Sequence, residues 1–165
     1  MSDLVCRIAR SAGERAGYFE LRRSIFCDEQ GIFAGSDRDE LDAAAHPIVC
    51  LDGERVVGVV RIWEDGPGLW WGGRLGVHRD FRTVGSVGRR LVQTAVGTAR
   101  AWGARRFHAT VQRSNVAFFR RLHWRSLEEL EVHGRAHHLM EADLGRYQPT
   151  AEPRSSEKDG ADEAA

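Results

Sequence analysis

The stretch Arg74–Val92, RLGVHRDFRTVGSVGRRLV, decides the fold. An apolar run that starts at Leu69 ends inside it at Val77 and reads as a strand. Arg82, Gly85 and Gly88 follow. Immediately after them Leu91, Ala95, Ala99 and Trp102 recur on one helical side, which predicts a helix from about Val87 to Trp102. A strand that passes through a glycine-bearing loop into a helix leaves unpaired N–H groups at the positive end of the helix dipole. Glycine permits close backbone approach there, and Arg82, Arg89 and Arg90 can add charge-assisted contacts. Such a turn suits a phosphate or pyrophosphate. It equally suits an ordinary strand-to-helix connection with solvated arginines. It is neither G-x-G-x-x-G nor a P-loop, because no G-K-[ST] follows.

Outward from this stretch, strand and helix signals alternate. Leu4 to Arg10 reads as a first strand. From Gly13 to Gln30, Tyr18, Leu21 and Ile25 share a helical face, and residues 31–45 form a polar, acid-rich loop. Pro47–Leu51 and Arg55–Trp63 are Val/Ile-rich runs around Asp52-Gly53, a hairpin signal of the type I′ kind. Beyond the helix, Phe107–Gln112 alternates apolar and polar residues. Asn115 can cap a short helix bearing Phe118, Phe119 and Leu122. Strands near Leu127–Val132 and Ala136–Leu144 flank a second hairpin at His133-Gly134. The order predicts an α/β domain: a mixed, mostly antiparallel sheet of about seven strands flanked by helices.

Composition narrows the class. The chain has 165 residues, 24 basic and 24 acidic side chains, and 42% hydrophobic residues. That fits one domain with a real core. Residues 148–165 hold five acids against Arg154 and Lys158 and no large apolar side chain, so residues 1–147 are expected to form the domain and 148–165 a disordered acidic tail. The body is then +3 and the tail −3. Zero net charge argues against a nucleic-acid or anionic-membrane partner, and no run is long enough to span a bilayer. Three cysteines without metal-like spacing point to a reducing, cytoplasmic setting. A homodimer is left open.

Two motifs then carry a resemblance. Val77, Phe81, Arg82, Gly85, Gly88 and Leu91 resemble the acetyl-CoA pyrophosphate loop of the GNAT superfamily of N-acetyltransferases. NVAFFRRLHW, Asn115 to Trp124, resembles that superfamily's second signature, and the element order matches from Leu4 to Leu144. The resemblance implies the GNAT fold and an enzyme that moves acetyl from acetyl-CoA, its co-substrate, to the amine of a small molecule by direct attack. It implies cofactor contacts from Leu75, Val77, Arg82, Gly85, Ser86, Val87, Gly88, Arg89, Asn115 and Phe119. The loop's second glycine comes one residue later than in the family. The tyrosine that often protonates the departing thiolate falls on Phe119, which has no exchangeable proton. LRRSIFCDEQGIF, SDRDELD and RFHATVQRSNVAFFRRLHW further resemble a bacterial subfamily encoded near nitrilase-type genes.

An acetyltransferase must deprotonate its amine and disperse charge on the tetrahedral intermediate. The resemblance places the second task on a backbone amide around Leu75 to Val77. The strand Leu69–Val77 carries no acid, so a carboxylate base must come from Glu29 or from Asp37, Asp39, Glu40 and Asp42. Glu29, beside Ile32 and Phe33, and Asp42 are the candidates. These acids also suit docking of a cationic amine, or simply a solvated loop. Asn115 can cap its helix or bind the pantetheine amide. Trp70-Trp71 can wall the acceptor site or pack in the core. Cys27 reads as an incidental thiol. His137 and His138 point to opposite faces of one strand, so no metal site is expected. With the tyrosine and the strand carboxylate absent, the alternative is a CoA-binding or regulatory module with little transferase activity.

Overall fold

Alternation along each strand divides the molecule into two apolar layers. In the computed structural model, which describes residues 3–83 and 86–154, seven strands form one sheet. They are β1 (Leu4–Ile8), β2 (His46–Asp52), β3 (Arg55–Glu64), β4 (Leu69–Val77), β5 (Arg106–Gln112), β6 (Trp124–Val132) and β7 (Arg135–Ala142). Their order is β1-β2-β3-β4-β5-β7-β6. Helix α1 (Ala12–Arg23) packs Tyr18 and Leu21 on one face, against Val49, Leu51 and Val59. Helix α2 (Val87–Ala101) covers the other face, where Leu91, Ala95 and Val96 meet Ile48, Val60, Phe107 and Ala109. A third helix, α3, spans Val116–Arg121. The α/β class, the seven strands and the helical flanks agree with expectation.

Local differences have local causes. The helix expected to reach Gln30 is continuous, but its bonding widens to a π-turn over Ser24–Glu29, closed by the Gln30 N–H donating to the Ile25 carbonyl at 2.9 Å. In the first hairpin Asp52 pairs with Arg55, so the turn residues are Gly53 and Glu54. Only Gly53 has positive φ (+63°), which excludes type I′. The second hairpin does place both His133 (+50°) and Gly134 (+74°) in the left-handed region. The expected tail is corrected in part. Residues 148–154 return along α2: Thr150 N–H donates to the Gly97 carbonyl at 3.1 Å, and the Trp102 indole donates to the Glu152 carbonyl at 2.9 Å. The remainder of that segment lies outside the described residues.

Two irregularities position the site. All neighbouring strands are antiparallel except β4 and β5, which are parallel and paired only at Leu69–Arg106, Trp70–Phe107 and Trp71–His108. Past Trp71 the two strands separate and open the sheet. In the same stretch Arg74 and Leu75 stand opposite Val60 alone, a bulge in β4. Arg74 sits there at φ +54°. Its guanidinium, held by Asp37 and stacked 4.4 Å over the Phe33 ring, offsets the strain.

Candidate active site

The gap between β4 and β5 joins two hollows. One is a groove of about 1030 Å³ between the end of β4, the start of α2 and α3. Leu75, Val77, Arg82, Ser86, Val87, Gly88, Arg89, Asn115 and Phe119 all line it. Every described residue expected to contact the cofactor is therefore brought together; Gly85 lies outside the described residues. Ser86 precedes α2 at φ +53° and makes no side-chain cap. The first intrahelical bond runs from the Arg90 N–H to the Ser86 carbonyl, which leaves the Val87, Gly88 and Arg89 amides without helical acceptors. A Cβ on Gly88 would stand 3.4 Å from the Phe118 ring, so glycine keeps the groove floor low. These features fit a pyrophosphate-bearing ligand. Arg121 lines the groove as well, whereas Arg90 turns away and donates to the Leu4 carbonyl at 2.7 Å.

The second hollow is a cavity of about 520 Å³ that passes through the sheet. Arg61, Trp63, Trp71, Arg74, Gln112 and His137 line its α1 side, and Phe107, Ala109 and Trp124 bound its apolar depth. Leu75, Asn115 and Phe119 belong to both hollows and mark where they meet. Asn115 makes no side-chain cap to α3, which leaves its amide available to a ligand. Phe119 is buried against Trp124 with ring centroids 5.1 Å apart. The two tryptophans divide their roles. Trp70 is buried in the core, and Trp71 faces the cavity, edge-on to His108, whose Nε2 lies 2.7 Å from Glu141.

The candidate base Asp42 is corrected by its surroundings. Arg22, fully buried, grips Asp42 with two bonds (2.6 and 3.1 Å), Asp37 with one (2.7 Å) and the Tyr18 hydroxyl (3.1 Å). Arg61 pairs bidentately with Asp39 at 2.6 and 2.9 Å and reaches Asp42 at 3.1 Å. Arg74 ties Asp37 to Asp39. Burial alone would push the Asp42 carboxyl up, but Arg22, the Asp39 N–H and Arg61 outweigh it and hold it at about 2. A carboxylate so held is a poor proton acceptor near neutrality. Of the acids expected to greet a cationic amine, Asp37, Asp39 and Asp42 are neutralised by Arg22, Arg61 and Arg74. Glu29 lines the cofactor groove rather than the cavity, and its carboxylate holds Arg82 at 2.5 Å.

A residue set aside in the sequence occupies the cavity wall instead. His137 pairs with Gln112 across β7–β5, is 8% exposed, and its Nδ1 lies 2.8 Å from the Arg135 carbonyl. A carbonyl only accepts, so Nδ1 is the donor, and in the neutral tautomer that this bond selects Nε2 carries the lone pair. Among the described residues Nε2 has no protein partner. The available signal was the strand alternation, which separates His137 from His138 but does not say which faces the gap. Cys27 is unsuited to attack, since desolvation raises its thiol.

The acetyltransferase (GNAT) family model matches residues 8–124. The uncharacterized N-acetyltransferase YjcF of Bacillus subtilis is 31% identical over 124 residues, covering 75% of this chain and 87% of that protein. Escherichia coli ElaA superposes with a TM-score of 0.74 at 20% identity, over 87% of this chain and 100% of its own. A Bacillus subtilis acetyltransferase solved in complex with CoA superposes with a TM-score of 0.64 at 14% identity, over 86% and 99% of the two chains. The family model spans well over half of the chain and the Bacillus subtilis relative covers three quarters of it: the chain belongs to the GNAT family of acetyltransferases.

Proposed function

We propose that the protein transfers acetyl from acetyl-CoA to the primary amine of a small molecule by direct attack in a ternary complex. The observation that carries this reading is the junction at Leu75, Asn115 and Phe119, where the cofactor groove opens into the cavity. The family acts on acyl-CoA, and a neighbour in the fold holds CoA. Bound acyl-CoA supplies the activated thioester. Arg82, Arg89, Gly88 and the free amides of α2 hold its pyrophosphate, and Asn115 receives the pantetheine amide. The bulge at Arg74–Leu75 frees backbone from the β-ladder where the carbonyl oxygen needs a donor. In the cavity His137 Nε2 accepts the amine proton as the C–N bond forms and the C–S bond breaks, and the thiolate leaves to take up a proton. The products are an amide and free CoA.

Charge describes the acceptor. Arg61 and Arg74 line the cavity already paired with Asp37, Asp39 and Asp42, which leaves Arg135 as the cation without a carboxylate partner among the described residues that line it. An amine with a carboxylate or phosphate and an apolar or aromatic body fits this wall better than a polyamine. One observation favours a second reading, a CoA-binding module with little turnover: Phe119 leaves the junction without a hydroxyl. A panel of amino acids, aryl amines and polyamines with acetyl-CoA, read as thiol release, separates the two. The transferase reading requires amine-dependent release that falls 10²- to 10⁴-fold in His137→Gln with CoA affinity unchanged. Tight CoA binding with no amine-dependent release from any member supports the module.

A further inference from the structure

Two of the three cysteines, all free thiols, face each other at the edge of the sheet. β1 is an edge strand paired with β2 alone, and Cys6 stands directly opposite Cys50. The hydrogen-bond phase of this ladder is set where its register continues to Ala9, whose N–H donates to the Pro47 carbonyl at 2.9 Å. Hydrogen-bonded and non-hydrogen-bonded pairs alternate along an antiparallel ladder, so Arg7–Val49 and Val5–Leu51 are also hydrogen-bonded. Cys6–Cys50 is then a non-hydrogen-bonded pair, in which the Cα atoms approach to about 4.5 Å and the side chains come closest. A disulfide spans Cα separations of about 4.4–6.8 Å, so this pair can close without remodelling either strand. Both side chains lie on the α2 face. Cys50 is fully buried in the core covered by Val87 and Leu91. Cys6 packs at the margin of that core and lines a hollow of about 800 Å³ with Leu4, Arg89 and Arg90, which opens it to small molecules. The hydrogen bond between the two thiols lowers Cys50 and raises Cys6, while Arg90, which donates to the Leu4 carbonyl, favours loss of a proton from either. Cys27 lies on the π-turn after α1, outside the pair and its core.

We propose that Cys6 and Cys50 form a redox modification site: a reversible disulfide within the chain, made by a hydroperoxide, that pins the edge strand β1 to β2. Once the pair has lost one proton, the other can sit on Cys50 and leave Cys6, the accessible sulfur, as the thiolate. That thiolate attacks the terminal oxygen of the hydroperoxide. An S–O bond forms, the O–O bond breaks, and the departing oxygen takes a proton from solvent. The Cys50 sulfur then attacks the Cys6 sulfur: the S–S bond forms, the S–O bond breaks, and hydroxide leaves with the Cys50 proton as water. The two sulfurs lose two electrons and the peroxide gains them. A dithiol restores both thiols by exchange, entering at the accessible sulfur. The pairing explains why an edge strand of five residues would carry a thiol at this position: the crosslink ties β1 down between its own two hydrogen-bonded pairs, Val5–Leu51 and Arg7–Val49.

The test treats the full, reduced chain with stoichiometric hydrogen peroxide, then alkylates it under denaturing conditions and weighs it. The oxidised chain should be about 2 Da lighter before alkylation. It should take one label, at Cys27, where the reduced chain takes three. Peptide mapping should join Cys6 to Cys50, and dithiothreitol should restore all three labels. Cys27→Ser, which leaves the pair intact, should crosslink as the wild type does, and Cys6→Ser should not crosslink within the chain. Hydrogen exchange at the Val5, Arg7 and Ala9 amides should slow at least about tenfold in the oxidised chain. A crosslink that engages Cys27 or joins two chains overturns the proposal. So does oxidation that stops at a sulfinic Cys6 with Cys50 still alkylated, or unchanged exchange at those amides once the Cys6–Cys50 bond has formed.

Discussion

Replacing Asp42 by asparagine tests whether that residue is scaffold or catalyst. In the wild type its two oxygens take both arms of Arg22, whose side chain is fully buried, and one reaches Arg61. Asparagine keeps one acceptor but turns N–H groups toward a guanidinium and leaves buried positive charge uncompensated. Breaking a buried pair in this way costs about 3–5 kcal/mol. For a domain of this size that is a fall in Tm of roughly 6–20 °C. The pH dependence has a definite sign. The folded carboxyl sits at about 2, below the usual value of 3.8, so its contribution is complete above the unfolded pKa and is lost as pH falls through about 2. That linked part is about 2 kcal/mol, of which about 1 kcal/mol has gone by pH 3. Urea unfolding followed by tryptophan fluorescence at pH 7 and pH 3 measures both: the gap between wild type and variant should narrow at the lower pH. A variant with unchanged midpoint at pH 7 and amine-dependent turnover reduced a hundredfold would refute this reasoning and restore Asp42 as the base.

Three further outcomes are expected. Tyr147→Phe removes the hydroxyl that accepts from the buried Trp124 indole at 3.0 Å and donates to the Leu122 carbonyl, and should cost about 1–3 kcal/mol in urea unfolding. Gly97→Ala places a Cβ 2.5 Å from the Gln148 carbonyl oxygen, so limited proteolysis should cut residues 148–154 faster than in the wild type, with the body left intact. Glu14 and Glu141 are both held at about 2: Arg7 foremost for Glu14, and for Glu141 burial opposed by Arg125, His108 and Arg106. Both carboxylates stabilise above their unfolded pKa and lose that contribution toward pH 2, so the urea midpoint should fall steadily below about pH 4.5.

What was legible in the chain was what neighbours in sequence decide. The strand ending at Val77, the helix from Val87 and the alternation of Phe107, Ala109 and Val111 depend on spacing alone, and the cofactor groove follows because its residues flank one strand-to-helix turn. The acceptor side was misread because its chemistry is made by distant partners. Asp37, Asp39 and Asp42 look like free acids within residues 31–45, yet they meet Arg22, Arg61 and Arg74 at separations of 15 to 37 residues. Composition cannot show that a polar loop will be folded over buried guanidiniums. The same holds for residues 148–154: they bury little apolar surface themselves, but Gly97 and the Trp102 indole offer them backbone partners some 50 residues away. The register that turns His137 toward the gap is a tertiary property, set by its pairing with Gln112.

The arginine content, 23 of the 24 basic residues, acquires a physical meaning at particular positions. Arg22 uses its Nε and both terminal nitrogens, contacting two carboxylates, a phenol and a carbonyl without leaving the interior. A single ammonium could not span that set, because its donors radiate from one atom. Arg61 and Arg74 close the same network, which makes the acid-rich loop a rigid, nearly neutral wall for the cavity. Neutralising those acids also changes the field in which a substrate would dock. The cationic side chains that line the two hollows outside this network are Arg135 at the cavity and Arg82, Arg89 and Arg121 along the groove. Glu29 holds Arg82 in the free protein, so an incoming pyrophosphate must displace a carboxylate that already satisfies it. Binding at that position is then an exchange of one anion for another, and its net gain is smaller than a bare arginine would provide. Arg89 and Arg121 have no carboxylate partner among the described residues and face no such exchange. By this argument Arg89 and Arg121 carry a larger electrostatic share of donor affinity in the groove than Arg82 does.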